Sequence, residues 1–229
     1  MIDLRQLRLI GRKVREYAPA GLSRRRALLG FAGLGAGGLF LKISEDVVGR
    51  ESTQFDRSVS LWVHGFDTPT LDIVMRVLSF VGSFPTIAIV TLGVLFWAWR
   101  RRDREAVLAL AGVVAINEAL NFYLKHLFER PRPTLFEEIA TLHTYSFPSG
   151  HAMASVAIYG MNAFVVGRLA PRLRLLMAMS ALGLAVMIGI SRIYLGVHWV
   201  TDVLAGYAAG AVILVGGILW VELRNLERN

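Results

Sequence analysis

Two segments far apart in the chain each place a histidine where phosphoryl chemistry can use it. One is Pro148-Ser149-Gly150-His151. The other is Ser191-Arg192, with His198 after five intervening residues and Asp202 after three more. A third segment, Lys125 with Arg132-Pro133 downstream, adds cations. Together they offer a nucleophile, a carboxylate to orient it, a proton donor and a cradle for phosphate oxygens.

Each part has a physical reason and a plainer alternative. His198 and Asp202 stand four apart, so on a helix they share a face. An aspartate that accepts from one ring nitrogen fixes the tautomer and leaves the other nitrogen free to attack. The same pair would also serve as a polar contact between helices. Ser149, Gly150 and His151 open an apolar run. The exposed N–H groups of a helix N-terminus bind anions, and Gly150 lets a phosphate come close. A simple turn and cap uses the same residue types. Lys125, Arg132 and Arg192 suit interfacial anchoring as well as phosphate binding. For the second role, the guanidinium fork of Arg132 grips two oxygens.

The elements that must position these residues are membrane spans. The 229 residues are 55% hydrophobic, with a mean hydropathy of +0.52. That composition belongs to a polytopic membrane protein, where ionisable residues are costly and functional. There is no cysteine, which excludes disulfides and thiolate metal sites. The net charge of +8 is no nucleic-acid signature, because the charges form short clusters between apolar runs.

Hydropathy predicts an all-α bundle of about six spans. A basic tail covers 1–26, and the spans occupy the rest, 27–229. Apolar runs cover about 27–46, 71–99, 106–127, 150–167, 175–193 and 200–222. The 71–99 run is long for one span, and Gly82-Ser83-Phe84-Pro85 predicts a kink or a division within it. The stretch between the first two runs reads as polar connection. With six spans, the tail, the 100–104 and 168–174 clusters and the C-terminus share one side. The positive-inside rule makes that side cytoplasmic and puts the three chemical segments on the outer face. Lys125, Arg130, Arg132 and Arg192 lie there against the rule.

Other features have bland readings. Gly33-Leu34-Gly35-Ala36-Gly37-Gly38 matches a dinucleotide-binding pattern, but no β-α-β unit surrounds it, so close helix packing is expected. Gly206 and Gly210 read the same way. Ser23-Arg24-Arg25 precedes an apolar run in the manner of an export signal, read here as a retained first span. The tryptophans sit near span ends, as an aromatic belt. Glu118, Asn121 and Lys125 fall at i, i+3 and i+7, which predicts an inward-pointing Glu118 about two turns below the site.

The chemical segments carry a resemblance. Lys125-x6-Arg132-Pro133, Pro148-Ser149-Gly150-His151 and Ser191-Arg192-x5-His198-x3-Asp202 resemble the three-part signature of the type 2 phosphatidic acid phosphatase superfamily. Every signature position matches, in order. The resemblance implies a bacterial integral-membrane lipid phosphatase that needs no metal or other cofactor and forms a phosphohistidine. It implies His198 as nucleophile, Asp202 as its orienter and His151 as general acid. Lys125, Arg132, Ser149, Gly150 and Arg192 would hold the phosphate. Expected partners are a lipid phosphate or pyrophosphate and the bilayer itself, with no nucleic acid. Candidate substrates are phosphatidic acid, phosphatidylglycerol phosphate and undecaprenyl pyrophosphate. A phosphotransferase would share every motif. A transporter or scaffold would instead spread paired charges along several helices. The sequence leaves the oligomeric state open.

Overall fold

A computed structural model describes residues 24–135 and 144–227. All regular elements among them are helical: α1 (Arg24–Val48), α2 (Thr53–His64), α3 (Pro69–Val81), α4 (Phe84–Arg100), α5 (Arg104–Phe128), α6 (Gly150–Leu169), α7 (Arg174–Tyr194) and α8 (Val200–Leu226). Most of the basic tail lies outside the described residues, and Arg24 to Arg26 already belong to α1.

Among the described residues five helices are long and apolar enough to cross a bilayer, and α3 with α4, bent by 49°, makes a sixth when the pair is taken as one span. Large apolar side chains such as Phe31, Leu34, Ile89 and Leu175 face outward, as lipid-facing residues do. The protein is an integral membrane protein. The bend falls at Gly82-Ser83, as the Gly-Ser-Phe-Pro run predicts. Pro85 lacks an N–H and sits in the first turn of α4, where none is needed. Tyr159 donates to Val81 O at 2.7 Å, which satisfies a carbonyl released by the break.

Apolar burial drives helices together only weakly in lipid, so close backbone approach and polar contacts carry more of the association. α8 is the central element and packs on α1, α5 and α6. A Cβ at Gly206 would stand 2.7 Å from Ser149 O, and one at Gly210 would stand 2.5 Å from Met153 O. These glycines let α8 and α6 touch along their backbones. Gly33 faces Val215 across the contact between α1 and α8, in keeping with helix packing rather than nucleotide binding.

Three features differ from the sequence reading. The polar connection after the first span contains α2, whose buried residues are Asp56 and Ser60 while Phe55, Leu61 and Trp62 are exposed. Its inward face mixes Asp56 and Ser60 with Val59 and Val63, and its outward face is itself partly apolar, so apolar periodicity does not mark it. Second, α6 widens to a π-helical turn over Ser155–Tyr159. Third, Glu118 is exposed, not inward. The buried stripe of α5 runs through Val113, Asn117 and Leu124. Glu118 lies about 100° past Asn117, off that stripe. Lys125 sits almost as far round but has a long stem to reach back, whereas Glu118 accepts from its neighbour Asn117 Nδ2 at 3.1 Å.

Candidate active site

The three chemical segments meet at one end of the bundle. Lys125 lies in the last turn of α5. Glu129 then takes a left-handed conformation, φ 45°, which ends the helix. The extended chain beyond it pairs with the strand of residues entering α6. Ser146 N donates to Arg130 O at 2.9 Å, and Ser146 Oγ to Pro131 O at 3.0 Å. Ser149 N donates to Asp202 O at 2.9 Å, tying the start of α6 to the first turn of α8.

Arg132 is held from several sides. It donates to Thr144 O at 2.7 Å, Thr144 Oγ1 at 2.9 Å and Val197 O at 2.6 Å. The last bond brings its Nη1 to 3.4 Å from His198 Nε2. A guanidinium only donates, so Nε2 is the ring's unprotonated nitrogen and Nδ1 carries the proton. His198 Nδ1 faces Asp202 Oδ2 at 3.5 Å, too long for a formed hydrogen bond. Asp202 Oδ2 also accepts from Trp199 N at 2.9 Å, so the carboxylate caps the helix it belongs to. His198 is buried, and burial lowers its pKa well below the ordinary value. The nearby charges of Arg192, Arg132 and Lys125 push the same way. A neutral imidazole with its Nε2 lone pair among cations is set to meet an anion.

Arg192 and Ser149 complete the cluster. Arg192 is buried on α7 and donates to Ser79 Oγ on α3. Its Nε and Ser149 Oγ are buried without a partner among the described residues. Native structures rarely leave such atoms unpaired, and a phosphate oxygen would satisfy both kinds. Lys125 Nζ donates to Tyr145 O. His151, half-buried in the first turn of α6, packs against the α3–α4 break.

Every residue singled out from sequence, Lys125, Arg132, Ser149, Gly150, His151, Arg192, His198 and Asp202, lies at this end. Sequence reasoning missed the support beneath them. Arg130 bridges Asp202 Oδ1 at 2.6 Å and Asp56 Oδ2 at 2.7 Å, and donates to Thr201 Oγ1 at 2.8 Å. Asp56 accepts from Thr201 N at 2.9 Å and from Thr201 Oγ1 at 2.7 Å. The only trace of this in the sequence is an arginine on the outer side against the charge rule.

The α3–α4 break has a positional role. A Cβ at Gly82 would lie 2.6 Å from Ile188 Cγ2 and 3.2 Å from His151 Cδ2. Gly82→Ala is therefore expected to displace the His151 ring. Misplacing a reacting group by about 1 Å costs roughly 10²-fold. Steady-state kinetics on the purified variant should show that loss in kcat, with a melting temperature lowered by only a few degrees. Unchanged kcat would mean that the ring does not depend on this contact.

Comparisons with known proteins agree with this geometry. The sequence model of the PAP2 superfamily matches residues 106–226. Phosphatidylglycerophosphatase B of Bacillus subtilis is 35% identical over 152 residues, covering 63% of this chain and 72% of the relative. Undecaprenyl-diphosphatase of Sulfolobus acidocaldarius is 30% identical over 148 residues, covering 63% of this chain and 68% of the relative. The crystal structure of a transmembrane PAP2-type phosphatidylglycerolphosphate phosphatase from Bacillus subtilis superposes with a TM-score of 0.74 at 28% identity, covering 87% of this chain and 98% of that one. With the family match spanning more than half of the chain and the motif residues gathered around His198, this protein belongs to the PAP2 superfamily.

Proposed function

We propose that the chain hydrolyses a lipid phosphate or pyrophosphate at the membrane boundary, through a phosphohistidine on His198 and without a metal. One observation carries the reading: a buried neutral imidazole stands among three cations, beside two unpartnered buried donors. The substrates named for the relatives make phosphatidylglycerol phosphate and undecaprenyl pyrophosphate the first to try, with phosphatidic acid third.

The chemistry follows from the arrangement. Phosphate oxygens take the place of bulk water against Lys125, Arg132, Arg192, Ser149 and the N–H groups at Gly150. Phosphoryl transfer depends mostly on positioning and on charge stabilisation of the equatorial oxygens. His198 Nε2 donates its lone pair to phosphorus as the bond to the leaving oxygen breaks. His151 protonates that oxygen. The imidazole gains positive charge, which the Asp202 carboxylate offsets from the Nδ1 side. Water then attacks phosphorus, His151 takes its proton, and phosphate leaves His198.

Purified protein should release inorganic phosphate from these lipids in EDTA, and vanadate should inhibit as a five-coordinate phosphorus mimic. Strict dependence on added Mg²⁺ would overturn the side-chain cradle. Transfer to a lipid or sugar acceptor with no free phosphate would make the enzyme a phosphotransferase.

The proposed orientation puts the site on the outer, periplasmic side of the cell membrane and both termini in the cytoplasm. It is supported by Arg25, Arg26, Arg100 to Arg102, Arg168, Arg172 and Arg174, all at the opposite end. The chain has no cysteine, so single cysteines report cleanly. A membrane-impermeant thiol reagent should label Thr70→Cys in intact cells and spare Arg101→Cys, both exposed positions. The reverse pattern would invert the orientation.

A further inference from the structure

The end of the bundle away from the site holds a separate cavity of about 720 Å³ between α1, α6, α7 and α8. That lies within the ~300–1,000 Å³ range of ligand sites. From Ser155 to Arg168 along α6 it runs roughly 20 Å, on the order of one leaflet of a ~30 Å hydrocarbon core. Its floor includes Ser155 and Val156 of the π-helical turn. Its walls are apolar: Ala163, Phe164, Ala181, Leu182, Leu214 and Ile218. Its mouth is basic.

Arg25, Arg26, Arg168 and Arg174 line that mouth. Two carboxylates oppose them. Glu222 lies 3.0 Å from Arg25 and 3.7 Å from Arg26. Asp103 lies 2.6 Å from Arg168. Arg174 is exposed and makes no ion pair among the described residues. The mouth therefore presents four arginines over an apolar shaft.

From this charge and shape we infer that the cavity binds an anionic phospholipid of the adjoining leaflet, its phosphate on the arginines and one acyl chain along α6. Guanidinium forks match phosphate oxygens, and the shaft is lined for hydrocarbon. A soluble anion would use the mouth and leave the shaft unfilled. A zwitterionic lipid would bring its own cation against Arg174. This site is distinct from the one around His198 and does not rest on the proposed reaction. The arginine mouth lies roughly 25 Å along α6 from His151, counted to Arg168.

The test is native mass spectrometry of the purified full chain, titrated with phosphatidylglycerol and with phosphatidylcholine of the same acyl chains. Phosphatidylglycerol should be retained selectively. Arg25→Gln and Arg174→Gln should each weaken that retention by roughly fivefold, the worth of one basic residue near an anionic surface. Ala178→Phe, which fills the shaft without touching the charges, should weaken it as well. Arg132→Gln, a change in the site around His198, should leave retention unchanged. Equal retention of both lipids, indifference to the Arg25 and Arg174 changes, indifference to Ala178→Phe, or loss of retention in Arg132→Gln would each overturn the assignment.

Discussion

His198→Ala should abolish phosphate release, by roughly 10⁴- to 10⁶-fold in kcat, the scale seen when a covalent nucleophile is removed. No other imidazole can replace it, since His151 belongs to a different segment and meets the leaving group. The fold should persist. His198 Nδ1 makes no formed hydrogen bond, and the turn before α8 is held instead by Asp202 on Trp199 N and by Arg132 on Val197 O. A circular dichroism spectrum and melting temperature close to wild type, with no turnover, is the expected pair of results. Rapid acid-free quenching of wild-type protein with labelled substrate should trap a base-stable phosphoryl group that the variant lacks. Asp202→Asn should lose less, because it disturbs the tautomer without removing the nucleophile. Turnover by His198→Ala near the wild-type rate would refute the assignment.

What was legible in the sequence was whatever it writes contiguously. The spans could be read because lipid demands uninterrupted apolar helix. The break in the sixth span could be read because Gly82-Ser83-Phe84-Pro85 combines a flexible residue with one that lacks an N–H. The candidate site residues stood out in the sequence because each sits in a short motif whose types suit phosphate, and the fold brings them to one end of the bundle.

Three-dimensional support was not written that way. Arg130 is one of several charged residues in Glu129-Arg130-Pro131-Arg132. Only folding shows that it faces two aspartates while Arg132 faces His198. α2 was hidden because both of its faces mix polar and apolar residues. The rotation of α5 put Glu118 outside because Lys125 reaches the site by its stem and does not fix the helix face. No residue type encodes the π-helical turn of α6.

The missed arginine carries the second large effect. Arg130 lies between two buried carboxylates, at 2.6 Å from Asp202 and 2.7 Å from Asp56. Removing one partner from a buried charge network costs about 3–5 kcal/mol, because the remaining charges lose their compensation. Arg130→Gln should therefore lower the melting temperature sharply. It should also act on the reaction without touching the substrate. Asp202 without its guanidinium loses the contact that fixes Oδ1, and with it the placement of Oδ2 opposite His198 Nδ1. The expected result is a fall in kcat of roughly 10²-fold or more with KM little changed, comparable to the loss of a general acid or base. A phosphate-binding arginine would instead raise KM. Asp56→Asn added to Arg130→Gln removes one of the stranded charges, so the double variant should recover melting temperature while kcat stays low. Arg130→Lys, which keeps the charge but loses the fork that spans both aspartates, should fall between wild type and Arg130→Gln in both measurements. An Arg130→Gln protein with wild-type melting temperature and kcat would show that the bridge between α2 and α8 neither holds the fold nor positions Asp202.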